Sequence, residues 1–121
     1  MLLDSNIIIY TAQPENTKLR RWVSMNDVQV SALSQVEVLG YHQLGEEERS
    51  LFNQLFASFV VLPITSEIID NAVNLRQQKR MGLGDSIIAA TALVHSLTIA
   101  TRNLKDFQWI PNLQVVDPLL L

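Results

Sequence analysis

Three acids in this chain stand where an uncompensated charge is costly. Asp4 closes the apolar run Met1-Leu2-Leu3 and is followed at once by Ser5, Asn6 and a second apolar run from Ile7 to Tyr10. Glu37 lies within a segment of helical period, and Asp85 follows Gly84 at the head of an apolar, alanine-rich stretch. A buried carboxylate is rare unless it is paired, hydrogen-bonded or bound to metal. Three of them converging on one spot call for a cation. Oxygen donors alone suit magnesium or manganese, which keep several waters and need only one or two carboxylates directly. Such an ion orients and activates water and stabilises charge on a scissile phosphate, so hydrolysis of a phosphodiester is the natural chemistry. Zinc is disfavoured: there is no cysteine, and His42 and His95 fall outside the acidic set.

The elements that must position these acids alternate between short apolar runs and segments of helical period. This is the pattern of a parallel sheet covered on both faces. Strands are predicted at 2–4, 28–31, 59–63, 98–101 and 114–116, and helices at 6–12, 17–24, 34–44, 46–58, 66–81 and 85–96. Pro14, Gly45, Pro63, Gly82, Gly84, Pro111 and Pro118 fall between them, as breakers should. The expected fold is α/β, one domain over residues 1–121 with a mainly parallel sheet of about five strands.

At about 100° per residue, Leu33, Val36, Gly40, Tyr41 and Leu44 share one face of the third helix, with Glu37 inside that cluster. Glu37 is therefore expected to point inward, with Gln35, Val38 and His42 on the opposite side. Asp85 shares a face with Ile88, Ala89, Ala92 and Leu93 on a helix apolar nearly all round. That helix precedes the fourth strand and must run antiparallel to it. Its amino end thus lies at the strand's carboxyl end, where Asp4, the start of the Glu37 helix and Asn103 also arrive. Open α/β sheets bind ligands at that edge.

Each acid also has a plainer reading. Asp4 and Asp85 are both respectable helix N-caps, and Glu37 could instead form a buried ion pair with Arg102 or Lys105. Glu15, Asp27, Glu46 to Glu48, Glu67 and Asp70 read as surface or first-turn charges, and Asp117, before Pro118, carries no signal. Ser5 and Asn6 can support Asp4 or a bound water, and Thr101 and Asn103 can do so from across the pocket. Substrate phosphates would need nearby cations: Arg76, Lys79 and Arg80 before Gly84-Asp85, and Arg102 and Lys105 after the fourth strand. The first three equally suit a helix carboxyl terminus.

The chain has 121 residues, 48% of them hydrophobic, a net charge of −3 and a mean hydropathy of +0.17. That length buries a core without disulfides, and the apolar balance suggests a covered surface, most simply a homodimer. The acidic balance argues against bulk attraction to nucleic acid, yet neutralising Asp4, Glu37 and Asp85 would leave no net charge, so local basic clusters could decide an encounter. The absence of cysteine fits a cytoplasmic location. The opening residues lack the basic start of a signal peptide, and no run approaches a membrane span.

Four stretches together resemble PIN domains, and more narrowly the VapC toxins of toxin–antitoxin pairs. They are Leu-Leu-Asp-Ser-Asn at 2–6, Ser-Ala-Leu-Ser-Gln-Val-Glu at 31–37, Gly-Asp-Ser-Ile-Ile-Ala-Ala-Thr-Ala at 84–92 and Ala-Thr-Arg-Asn-Leu-Lys-Asp-Phe at 100–107. The resemblance implies an α/β/α sandwich and a ribonuclease dependent on Mg²⁺ or Mn²⁺. It also implies a homodimer inhibited by a cognate antitoxin. It assigns Asp4, Glu37 and Asp85 to the metal site. Many PIN domains add a fourth acid where this chain has Asn103, which weakens the case for a second metal; Asp106, three residues on, is a substitute or a turn cap.

Two other functions remain to be weighed. A phosphotransfer protein with Asp4 as nucleophile would need, in haloacid-dehalogenase fashion, a second Asp two residues later, where Asn6 stands. A PIN-fold RNA- or protein-binding module with little turnover is favoured by Asn103 and disfavoured by the three acids.

Overall fold

Leu2 and Leu3 are both fully buried, yet they serve different cores. Leu2 packs with Ile68, Leu75, Ile88 and Phe107, and Leu3 with Ile7, Leu19, Val30 and Phe56. Successive strand residues face opposite sides of a sheet, so this pair alone demands cover on both faces. The structure, a computed structural model, describes residues 1–120. In chain order the elements are β1 (Leu2–Leu3), α1 (Ser5–Thr11), α2 (Thr17–Met25), β2 (Gln29–Ser31), α3 (Ala32–Leu39) and α4 (Glu46–Ser58). They continue with β3 (Val60–Leu62), α5 (Ser66–Gln78), α6 (Leu83–His95), β4 (Ile99–Ala100), α7 (Leu104–Phe107), β5 (Val115–Val116) and a 3-10 turn (Pro118–Leu120).

The five strands are all parallel, in the order β3-β2-β1-β4-β5. Ile99 and Ala100 in β4 divide between the two cores as Leu2 and Leu3 do. Residues of α5, α6 and α7 build one apolar layer and residues of α1, α2 and α4 the other, which makes the expected α/β/α sandwich. From β1 the chain winds outward through β2 to β3, then returns to β1's other side to lay down β4. The reversal places the topological switch point, where such sheets open a crevice, at the carboxyl ends of β1 and β4. The two antiparallel helices α5 and α6 pack against each other, and the small residues Ala89, Ala90 and Ala92 let α6 lie close to the sheet.

The third helix departs from expectation. It ends at Leu39 with Gly40 as its C-cap, so Tyr41 and Leu44 are not on it. Its buried face is Ser34 and Val38, while Val36 is 70% exposed and Glu37 is exposed. The inward face expected from Leu33, Val36 and Gly40 is thus rotated, because a serine counted as polar is buried with its hydroxyl satisfied. Glu37 is not an apolar-face carboxylate. Instead α3 lies at the sheet's carboxyl edge in contact with α1, α4 and α6, and Glu37 emerges between them.

Two short elements went unpredicted, α7 and the 3-10 turn, each under two turns and too short to show a period. Asp117 is a second correction. It is buried, accepts from Arg102 Nε at 3.2 Å and from the Leu119 N–H at 2.9 Å, and so ties the closing turn to the loop after β4.

The rotated face is directly testable by urea denaturation. Val38→Ala is expected to cost about 2 kcal/mol, from lost burial plus a cavity, and Val36→Ala to stay within about 0.5 kcal/mol of the parent. The opposite order would restore the face read from the sequence.

Candidate active site

Asp4 leaves β1 with extended backbone angles (φ −67°, ψ 151°) and caps α1, its Oδ1 accepting the Ser5 N–H at 2.8 Å. Its other oxygen accepts from Thr101 Oγ1, also at 2.8 Å, across the switch point from the end of β4. Thr101 is fully buried, and its hydroxyl accepts the Asn103 N–H at 3.0 Å, which fixes its direction. Asp4 is only 6% exposed. The capping role and the site role are therefore not alternatives. The cap orients the carboxylate, and the threonine holds it at the crevice.

Glu37 reaches the same edge from α3. Ser5 Oγ donates to Glu37 Oε1 at 2.7 Å and lies 2.9 Å from the hydroxyl of buried Ser34. On the other side Glu37 Oε2 lies against Gly84, so close that a Cβ there would stand 2.9 Å from it. Gly84 immediately precedes Asp85 in the first turn of α6, so the two carboxylates approach each other across that turn.

The electrostatics record the crowding. Burial pushes the Asp85 carboxyl up to about 6, and the charges of Asp4, Asp106 and Glu37 add to it in that order. Asp4 is also raised, mainly by burial, with Glu37 and Asp106 adding and the Thr101 and Ser5 bonds opposing. Asp106, read from sequence as a substitute for the fourth acid or a turn cap, acts on both acids from α7. Among the described residues the one ion pair is Arg102 with Asp117. Glu37 therefore has no pair with Arg102 or Lys105, and the acids have no protein countercharge.

This donor set fits a hard divalent cation, since every candidate ligand atom is a carboxylate oxygen. Among the described residues no three acidic or histidine side chains close around one point as placed. Two direct carboxylates with the remainder water satisfy magnesium or manganese.

The other candidates divide. Asn6 is exposed, and among the described residues its side chain bonds to none of the acids. Asn103 is exposed at the N-cap of α7 and takes part through its backbone. Lys105 and Asp106, with Arg102 and Asn103, line a groove of about 460 Å³. The larger cavity of about 720 Å³ lies on α4, lined by Leu44, Arg49 and Asn53, and contains none of the acids. At the end of α5, Arg76 donates to the Met81 carbonyl at 3.3 Å, Lys79 sits over the Trp109 ring at 5.3 Å, and Arg80 is exposed. Ser34, Gly84 and Trp109 were not singled out from the sequence; a serine one turn before Glu37 was the available signal for the first.

Because burial pushes Asp85 up to about 6, the native state holds a proton there that the unfolded chain has released between about pH 4 and pH 6, and Asp4, also raised by burial, acts in the same direction. Their contribution therefore becomes less favourable as pH rises through that window. In EDTA at pH 7, Asp85→Asn is expected to raise Tm by roughly 4 °C, the effect being reduced by partial exposure. Mg²⁺ should raise the parent's Tm at pH 7 and not at pH 4. Thermal unfolding across pH checks both; an Asp85→Asn protein less stable than the parent at pH 7 contradicts the unpaired charge.

Comparison with known proteins places this geometry in a family. The PIN domain profile matches residues 1–111. Ribonuclease VapC10 of Mycobacterium tuberculosis is 37% identical over 90 residues, covering 70% of this chain and 66% of that protein. Toxin FitB of Neisseria gonorrhoeae is 30% identical over 88% of this chain and 90% of its own. A toxin–antitoxin complex from Klebsiella pneumoniae contains a chain with a TM-score of 0.77 and 30% identity, covering 97% of this chain and 96% of that one. With the acids gathered at the switch point of a five-stranded parallel sheet, this chain belongs to the PIN domain family.

Proposed function

We propose that this protein is a metal-dependent endoribonuclease and the toxin of a toxin–antitoxin pair. The observation that carries the reading is the convergence of three acids at the switch point: Asp4 is fixed there by Ser5 and Thr101, Ser5 also binds Glu37, Glu37 lies against Gly84 beside Asp85, and among the described residues none of the three pairs with a lysine or arginine. Relatives named as ribonuclease and toxin, and a solved toxin–antitoxin complex, support the substrate and partner.

Magnesium or manganese, when bound, supplies positive charge for the scissile phosphate and lowers the pKa of water. Asp4 and Asp85 would hold the cation, Asp4 with its orientation locked by Ser5 and Thr101. Glu37 Oε1 is occupied by the Ser5 hydroxyl, which leaves Oε2 to accept a proton from the attacking water. Water attacks in line, its oxygen bonding to phosphorus as the bond to the 3′-oxygen breaks. The 3′-oxygen takes up a proton from solvent water, Glu37 later returns its own proton to solvent, and the products are a 5′-phosphate and a 3′-hydroxyl. Lys105 and Arg102, lining the groove beside the acids, meet the RNA backbone. Arg76, Lys79 and Arg80, which line a separate groove at the end of α5, offer further contacts to the backbone.

Partner chains have apolar surface to cover. Ile69 and Val73 on α5, Val36 on α3 and Leu83 on α6 are each at least half exposed. A homodimer and a cognate antitoxin bury such side chains. No described helix is long and apolar enough to cross a membrane, and a cytoplasmic site of action fits an RNA substrate.

The test is incubation of RNA with purified protein in Mn²⁺ or Mg²⁺, beside EDTA and the variants Asp85→Asn and Glu37→Gln. Cleavage should require metal, disappear in Asp85→Asn and fall about 100-fold in Glu37→Gln. Cleavage indifferent to EDTA, or undiminished in Asp85→Asn, rejects the metal nuclease. A metal-loaded protein that binds RNA without cutting it favours the binding module.

A further inference from the structure

Glu37 is an exposed carboxylate on a flexible stem, and burial does not hold it in place. Its position depends on small neighbours that carry no charge. Ser5 Oγ has one proton, and an ionised carboxylate can only accept, so that proton goes to Glu37 Oε1. The contact between Ser5 and Ser34 can then run only one way, from Ser34 Oγ to Ser5 Oγ. Ser34 has no solvent exposure, so no water competes for its hydroxyl. Ser34 thereby locks the Ser5 rotor, and the locked rotor aims at Glu37.

Gly84 acts from the other side. It lies in the first turn of a regular helix of thirteen residues, and no glycine in the described chain has positive φ, so its backbone needs no glycine. Alanine is the better helix former. What glycine provides is space. A Cβ at this position would lie 2.9 Å from Glu37 Oε2, 3.5 Å from Cδ and 3.7 Å from Oε1, and these are the three nearest atoms it would meet. The side chain would collide with the Glu37 carboxyl group and with nothing nearer.

We propose that Ser34 and Gly84 are positioning residues for the Glu37 carboxylate, Ser34 by a one-way hydroxyl relay through Ser5 and Gly84 by omitting the side chain that would displace Oε2. The assignment rests on reading the acids as a hydrolytic centre. Because the collision is with the free end of a flexible side chain, Gly84→Ala moves Glu37 rather than unfolding α6. Stability and activity should therefore separate.

The experiment compares the full chain with Gly84→Ala, Ser34→Ala and Asp85→Asn by RNA cleavage, thermal unfolding and carboxyl carbon NMR of the metal-free protein. Gly84→Ala is expected to keep or raise Tm, to slow cleavage by about tenfold to a hundredfold, and to shift the Glu37 Cδ resonance more than the Cγ resonances of Asp4 and Asp85. Ser34→Ala should shift the same resonance; if it does not fold, Gly84→Ala decides alone. A Gly84→Ala protein that cleaves as the parent does, or leaves Glu37 Cδ unmoved, overturns the inference. If Asp85→Asn also cleaves as the parent does, the hydrolytic reading has failed; if Asp85→Asn is inactive, only the positioning roles have.

Discussion

Among the described residues Asp4 is held by two hydrogen bonds and by no positive charge, and the rest of the molecule is arranged around that fact. One bond comes from the backbone of the helix it caps, the other from Thr101 at the end of the neighbouring strand. Together they cross the point where the sheet reverses its winding. A carboxylate left 6% exposed in such a place is costly to ionise, and the charges of Glu37 and Asp106 add to the cost. The fold gathers negative charge at one edge and leaves the compensation to something that is not protein.

That arrangement divides the structure by task. The two leucines of β1 and the Ile99-Ala100 pair of β4 hold the sheet between its two layers, which makes the strand ends rigid reference points. Asp4 and Thr101 inherit that rigidity directly. Glu37 and Asp85 arrive on helices, Glu37 with a serine pair on one side of its carboxylate and a glycine on the other. The Arg102–Asp117 pair sits outside this cluster, fastening the loop that carries Thr101 and Asn103 to the last turn of the chain. Among the described residues the one paired acid, Asp117, serves the scaffold, while Asp4, Glu37 and Asp85 stand unpaired at the sheet edge.

Much of this was legible in the sequence, and the exceptions have physical causes. The alternation of short apolar runs with helical periods led to the five-stranded α/β/α sheet, and the antiparallel return of α6 placed Asp85 beside Asp4. Asp4, Asp85 and Thr101 were singled out because acids and hydroxyls at strand ends and helix starts have few places to go, and the structure brings Asp4 and Thr101 into contact. Glu37 was identified for a mistaken reason. The wheel took Val36 and Gly40 as the inner face, whereas Ser34 and Val38 are inside, because a hydroxyl satisfied by Ser5 can be buried at little cost. Asp117 was passed over because its partner, Arg102, lies across a strand pairing that no local pattern reveals. Gly84 was read as a breaker, since what it makes room for is 47 positions away in the chain.

The claim on which everything else depends is that the acid cluster holds a divalent cation, and anomalous diffraction from crystals soaked in Mn²⁺ tests it most directly. The expected result is an anomalous peak within direct bonding distance of the Asp4 and Asp85 carboxylates, with Glu37 one water away. A saturated crystal with manganese elsewhere and none at the cluster, or with a lysine or arginine folded among the acids in its place, would contradict it.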